Sequence, residues 1–286
     1  MAQPEPPLRL PTSEELPCSD ETPVDNELQN LIPNLLLYIL AAIWPERQDY
    51  FFGVDMAIYY LYQNELQPAV IPECFLSIGV PRCSSERGRL SYVLWEENNI
   101  PPLLAIEIVS ENYKDEYEEK KEKYTHLGVK YYLIYNPNYW QRYQHQPFEL
   151  YRLEQGEYVL QTTEPYWIPE VGLGIGRGRG THMGWEREWL RWYDQEGNAY
   201  PTTEEVFKTQ RQRAEQLRQE IEPECQLTEQ LHQQTEQESQ RVKRALQEQQ
   251  QQTVARLFSL GCLTIEQIAT ACNLSITEVK VILEQP

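Results

Sequence analysis

Positive charge is what this sequence lacks most. Lys and Arg number 25 against 44 Asp and Glu, leaving a formal charge of −19 over 286 residues. A field of that sign repels polyanions, which excludes broad non-specific attraction to nucleic acid or acidic lipid. It leaves open a local site where metal ions bridge carboxylates and phosphates. Long apolar runs are missing too. No 18 consecutive apolar residues occur, so neither a transmembrane helix nor a membrane partner is expected. Residues 1–30 hold one arginine and no apolar signal core, which argues against secretion. The cysteines at 18, 74, 83, 225, 262 and 272 form no CxxC pair, and the histidines at 126, 145, 182 and 232 form no HExxH. Zinc knuckles and disulfide scaffolds are thereby set aside, and the thiols read as reduced cysteines of a cytoplasmic protein. No Ser or Cys has a credible histidine partner, which ranks covalent hydrolysis low. The segment GLGIGRGRG at 172–180 lacks both GxGxxG and the Lys-Ser/Thr of a P-loop, and reads as a flexible connector.

What the chain does have is a mixed α/β pattern. Residues 1–24, rich in Pro, Glu and Ser, read as a disordered arm. Residues 25–200 are expected to fold as an α/β domain with a central sheet flanked by helices. Leu28, Leu31, Ile32, Leu35, Leu36, Ile39, Leu40 and Ile43 recur at helical spacing, with Pro33 placing the helix start near itself and Trp44-Pro45 closing it. Strands are expected from Gly53 to Tyr62 and over 70–78, a loop over 81–100 with a short helix at Ser91 to Glu97, and a buried central strand at 103–109, LLAIEIV. A charged helix over 113–127 stopped by Gly128 and a strand over 129–135 complete a strand–helix–strand crossover. A hairpin follows at 148–161 around Gln155-Gly156. Trp185, Trp189 and Trp192, at spacings of four and three, predict a packed helix face.

Residues 201–252 contain no glycine, and 15 glutamines fall between 210 and 252. Phe207, Ala214, Leu217, Ile221, Leu227 and Leu231 give a heptad-like helical arm broken by Pro223, suited to homodimerisation or to a protein partner. Residues 253–286 read as a small helix-turn-helix-like tail capped at Thr264. With only Arg256 and Lys280 against three glutamates, that tail lacks the basic face of a DNA reader.

The chemistry concentrates in Asp55, Glu73, Glu107 and Lys120. A carboxylate such as Glu107 inside an apolar central strand costs several kcal/mol unless compensated. Either a divalent cation or a salt bridge to a neighbouring basic residue compensates it, and in the first case Asp55 and Glu73, on adjacent strands, are expected to share one Mg²⁺ or Mn²⁺ with it. Lys120 lies on the following helix, with Glu116 four residues before and Tyr124 four after. If that stripe faces the sheet, the ammonium reaches a phosphate or orients a water. Arg82, Arg87 and Arg89, helped by Lys114, Lys121 and Lys123, are the best local phosphate contacts.

The stretches VIPECFLSIGV (70–80), WEENNIPPLLAIEIVS (95–110) and EEKKEKYTHLGVKYYLIYNP (118–137) resemble the Uma2-type proteins abundant in cyanobacteria, which are similar to restriction-endonuclease-like PD-(D/E)xK nucleases. The family pattern falls on Pro72-Glu73, Glu107 with Ser110, Glu116, Lys120, Tyr124 and Gly128-Val129. The resemblance implies a restriction-endonuclease-like fold and a Mg²⁺- or Mn²⁺-dependent endonuclease acting on DNA. Glu73 and Glu107, assisted by Asp55, would hold the metal, Lys120 would act on the attacking water, and Glu116 would position Lys120. One departure stands out, because Glu73 replaces the Asp the family favours. In the wider nuclease superfamily the lysine usually stands where Val109 does, and the resemblance implies that Lys120 takes the role from the helix, as in the closer relatives. The competing reading is a catalytically inactive nuclease-fold scaffold that assembles through its helical arm.

Overall fold

A computed structural model describes residues 9–16, 26–110 and 116–284. Apart from 9–16, the arm expected over 1–24 lies outside the described residues, as do Cys18 and Lys114. The chain divides into two compact units, Met1–Thr209 and Gln210–Pro286.

The first unit opens with helix α1 (Glu27–Ile43), which starts six residues before Pro33. The start is set by a capping box, with the Asn26 side chain accepting from the Leu28 and Gln29 amides and the Gln29 side chain accepting from the Asn26 amide. The proline removes a single helical bond, to the Gln29 carbonyl, and the apolar stripe of Leu28, Ile32, Leu35, Leu36, Ile39 and Leu40 outweighs that loss. Each of these side chains contributes about 1.5–3 kcal/mol by burial.

Strands β1 (Tyr50–Val54), β2 (Ile58–Tyr59), β3 (Leu61–Tyr62), β4 (Glu65–Leu66), β5 (Cys74–Ile78), β6 (Tyr92–Val93) and β7 (Leu104–Ile108) come next. The strand expected from 53 to 62 is split because Asp55 adopts a left-handed φ of 47°. Pro72 lies outside β5, where its missing N–H costs no ladder bond. The short helix expected at 91–97 is instead β6 followed by turns, with Asn98 and Asn99 at positive φ. Helix α2 (Glu119–Leu127), stopped by Gly128 at φ 83°, leads into β8 (Tyr131–Tyr135). Then come α3 (Trp140–Tyr143), β9 (Phe148–Glu154), β10 (Glu157–Gln161), β11 (Tyr166–Ile168), β12 (Leu173–His182) and β13 (Trp185–Tyr193).

The main sheet is mixed, with six strands in the order β1-β5-β7-β8-β9-β10. β7 and β8 are parallel, joined by the α2 crossover, and the other pairs are antiparallel. One face packs Leu76, Leu104, Ile106 and Leu133 against α1 and against Trp189 and Trp192. The other buries Phe75, Ala105, Tyr132 and Ile134 under Tyr124 and Leu127 of α2.

Two expectations are corrected on β12 and β13. The glycine-rich segment is not a connector but a ten-residue strand, and the tryptophans lie on its partner strand rather than on a helix. Spacings of four and three mimic a helix, but cross-strand pairing decides. The glycines make room, since a Cβ at Gly178 would meet the Tyr193 hydroxyl at 2.5 Å. Trp192 Nε1 donates to the Leu36 carbonyl (3.0 Å), pinning this small sheet to α1.

Helix α4 (Thr203–Ser259) is continuous through Pro223, contrary to the expected break. Its surface is exposed there, so water takes up the carbonyl that the proline leaves unbonded. In the second unit the end of α4 packs with α5 (Ile265–Cys272) and α6 (Ile276–Glu284) around Val254, Ile268, Ala269 and Val279. Thr264 caps α5 through a capping box. Among the described residues no helix is long and apolar enough to cross a membrane.

Candidate functional site

Strand pairing lines up the candidate acids. Val54 pairs with Cys74, and Cys74 with Ile106. One step further along these ladders, Asp55 lies across from Glu73 and Glu73 across from Glu107. The Asp55 amide donates to the Glu73 carbonyl (3.0 Å). Asp55, at a left-handed φ, and Glu73 lie just beyond the ends of β1 and β5, so strand alternation sets the facing of Glu107 alone. For Glu107 this is the α2 face, because its neighbours Ile106 and Ile108 belong to the α1 face. The row continues through Ile134 to Glu149.

Glu107 is 1% exposed, and both of its oxygens are engaged. Lys120 Nζ donates to Oε2 (2.8 Å) and Tyr124 Oη donates to Oε1 (2.7 Å). Both donors come from one face of α2, four residues apart, as helical geometry requires. Lys120 Nζ also donates to the Ile71 carbonyl (3.3 Å), just before Glu73. The Lys120 side chain keeps 26% of its exposure against 1% for Glu107, so the ion pair is closed on the acid side and borders solvent along the lysine side chain. Glu73 is half-buried, and Gln29 Nε2 donates to its Oε1 (2.7 Å).

The electrostatics record the crowding. Burial first, then the charges of Glu107 and Asp55, push the Glu73 carboxyl up to about 8, against the opposing pull of Lys120 and Gln29. Burial works to lower the Lys120 ammonium, but the Glu107 charge and hydrogen bond, with Glu116 and Glu73 behind them, outweigh it and raise the group. Burial and the Glu107 charge hold the Tyr124 hydroxyl protonated well above its usual range.

Glu107 and Lys120 thus meet at one end of the sheet, delivered by β7 and α2, and Glu73, on the approach to β5, acts on both through its charge. Glu116 is buried beside them, with its carbonyl accepting from Tyr132 Oη (2.6 Å). Asp55 is exposed and acts on Glu73 through its charge. Among the described residues no three His, Cys, Asp or Glu side chains are grouped to cage a metal. The arginines do not form the expected phosphate patch. Arg89 is buried in an ion pair with Glu97 (2.5 Å) and lies over the Phe51 ring (4.3 Å). Arg82 lies over Tyr50 (5.1 Å), and exposed Arg87 approaches Glu14 at 3.9 Å. Lys121 sits on the Tyr151 ring (3.6 Å), and Lys123 pairs with Glu119 (2.6 Å).

Sequence reasoning missed Gln29 altogether and read Tyr124 only as part of a stripe. The available signal for Gln29 was an amide beside Leu28 on a helix whose buried positions are otherwise apolar.

No curated protein matches this chain. Among solved structures, it is similar to a putative nuclease belonging to DUF820 from Anabaena variabilis, with 15% identity over 51% of this chain and 74% of that one at a TM-score of 0.35. The Uma2 family, described as a putative restriction endonuclease, matches residues 20–182. That span is more than half of the chain and holds every candidate site residue together with Gln29 and Tyr124, so the chain belongs to the Uma2 family.

Proposed function

We propose that this protein is a metal-dependent endonuclease of the PD-(D/E)xK type that hydrolyses DNA phosphodiester bonds. The observation that carries the reading is the ion pair of buried Glu107 with Lys120, set so that the charges of both act on Glu73. The donor set fits a hydrated divalent ion. Mg²⁺ commonly takes one or two carboxylates and keeps several waters, so a cage of three acids is not required. Burial, with the charge of Glu107 and less so of Asp55 added to it, lifts Glu73, and a divalent charge would offset both. Glu73 and Glu107 would hold Mg²⁺ or Mn²⁺, with Asp55 adding charge from the rim. When bound, the ion supplies Lewis acidity toward a phosphate oxygen and lowers the pKa of water.

The chain's own groups do the rest. Tyr124 fixes one oxygen of Glu107 and so the plane of its carboxylate. Lys120, held charged by Glu107 with Glu116 behind it, orients the attacking water or offsets charge developing on the phosphate.

The test is cleavage of plasmid DNA with Mn²⁺ by wild type and by Glu107→Gln. The reading expects cleavage by the wild type and a loss on the order of a thousandfold in the variant, with the far-UV circular dichroism of the folded chain retained. Undiminished cleavage by the variant removes Glu107 from the mechanism. A second reading, an inactive nuclease-fold scaffold, draws on the occupation of both Glu107 oxygens by Lys120 and Tyr124. It expects no Mn²⁺ uptake by the wild type.

A further inference from the structure

We infer that Gln29 is a positioning residue that aims Glu73 at Glu107 and thereby sets the affinity of the acid pair for a divalent cation. The inference rests on the metal-dependent reading above. Gln29 is a buried amide at the third position of α1. A buried amide is costly unless it is hydrogen-bonded, and this one is bonded at both ends. Its Oε1 accepts from the Asn26 amide (3.1 Å), closing the capping box. Its Nε2 donates to Glu73 Oε1 (2.7 Å) and to the Ile108 carbonyl (3.4 Å).

Capping explains only half of this arrangement. The box needs an acceptor at the third position, and glutamate serves there as well as glutamine. Glutamate also suits the positive end of the helix dipole better. The choice of an amide is therefore explained by Glu73, which needs a donor where glutamate would present a second anion. The contact to Ile108 adds a constraint, because that carbonyl closes the strand that carries Glu107. One side chain, itself latched by the helix cap, thus ties the Glu73 carboxylate to the end of β7 and fixes how the two acids face each other. Partners of this kind behind metal-binding carboxylates typically control affinity by about 10- to 100-fold.

The experiment measures Mn²⁺ binding to the full chain by the electron paramagnetic resonance of free Mn²⁺, alongside the metal-free Tm. Gln29→Met keeps the length and removes both polar atoms. Asn26→Ala removes the cap and leaves the Glu73 contact in place. Gln29→Glu keeps the capping acceptor and changes the atom that faces Glu73. Gln29→Met is expected to bind Mn²⁺ at least tenfold more weakly, whereas Asn26→Ala lowers Tm and stays within about twofold of wild-type affinity. Gln29→Glu keeps the helix capped, so a shift of tenfold or more in its affinity supports the inference even if the methionine variant fails to fold. Wild-type affinity in Gln29→Met or Gln29→Glu makes the residue a helix cap alone and overturns the inference while leaving the metal reading intact. A wild type that takes up no Mn²⁺ overturns both.

Discussion

The two faces of the six-stranded sheet are made from the same strands and differ only in alternate residues. On the α1 face Leu76, Leu104, Ile106 and Leu133 meet Leu36 and Trp192 in an apolar layer. On the α2 face the strands present Phe75, Ala105, Tyr132 and Ile134, but also Glu107, with Glu149 two strands away. The first face supplies burial energy. The second gives some of that energy up to hold charge in a low-dielectric setting, where electrostatic groups act most strongly. Alternation along a strand is enough to keep the two tasks apart by the thickness of one sheet.

Substitutions can break or sharpen that contrast. The largest effect on stability is expected on the α1 face. Leu133→Ala should cost about 3 kcal/mol, read as a lower Tm, while the Mn²⁺ affinity of the folded protein stays unchanged. An equal loss of affinity would show that the faces are coupled.

A smaller effect is expected from pH on the α2 face. The Glu73 carboxyl ionises near its ordinary 4.5 in the unfolded chain and near 8 in the fold. Between those values the unfolded state has released a proton that the native state keeps. Stability therefore falls as pH rises through this window and levels off above it. Glu73→Gln should remove that decline and stand on the order of 2 kcal/mol above wild type at pH 9, as measured by urea unfolding at several pH values. Parallel profiles for the two proteins would place the charge strain elsewhere.

The smallest effect belongs to Tyr124→Phe, which deletes the hydroxyl that holds Glu107 Oε1. Unfolding should become easier by about 1–2 kcal/mol, with the loss in Mn²⁺-dependent cleavage exceeding the loss in stability. A variant that loses stability and keeps full cleavage would reduce Tyr124 to packing.

Much of the sheet was legible because burial on both faces leaves a strong mark. LLAIEIV reads as a central strand by its apolar run, and the single acid within it points at the site. Glu73 followed from the same logic applied to the neighbouring strand, whereas Lys120 rested on the helical stripe of Glu116, Lys120 and Tyr124 and on the family resemblance. Gln29 was not legible, since its meaning lies in a contact 44 residues away and Pro33 drew the helix start past it. The β12–β13 ribbon was misread because tryptophan spacing in one strand copies a helical period, while the glycines that admit Tyr193 look like a linker in isolation. Pro223 misled in the opposite direction, because a helix turned to solvent tolerates the loss of one bond.

The single acid of β7 also bears on how the chain finds its alignment. A slip of one residue in that strand would carry Glu107 over to Leu36 and Trp192, while Ile106 or Ile108 turned toward Lys120. Leu36 offers a carboxylate no donor and Trp192 Nε1 is already committed to the Leu36 carbonyl, so the mispaired sheet bears a desolvation penalty the native one escapes. Glu107 thus works as a register key, penalising the offset strand as the sheet assembles.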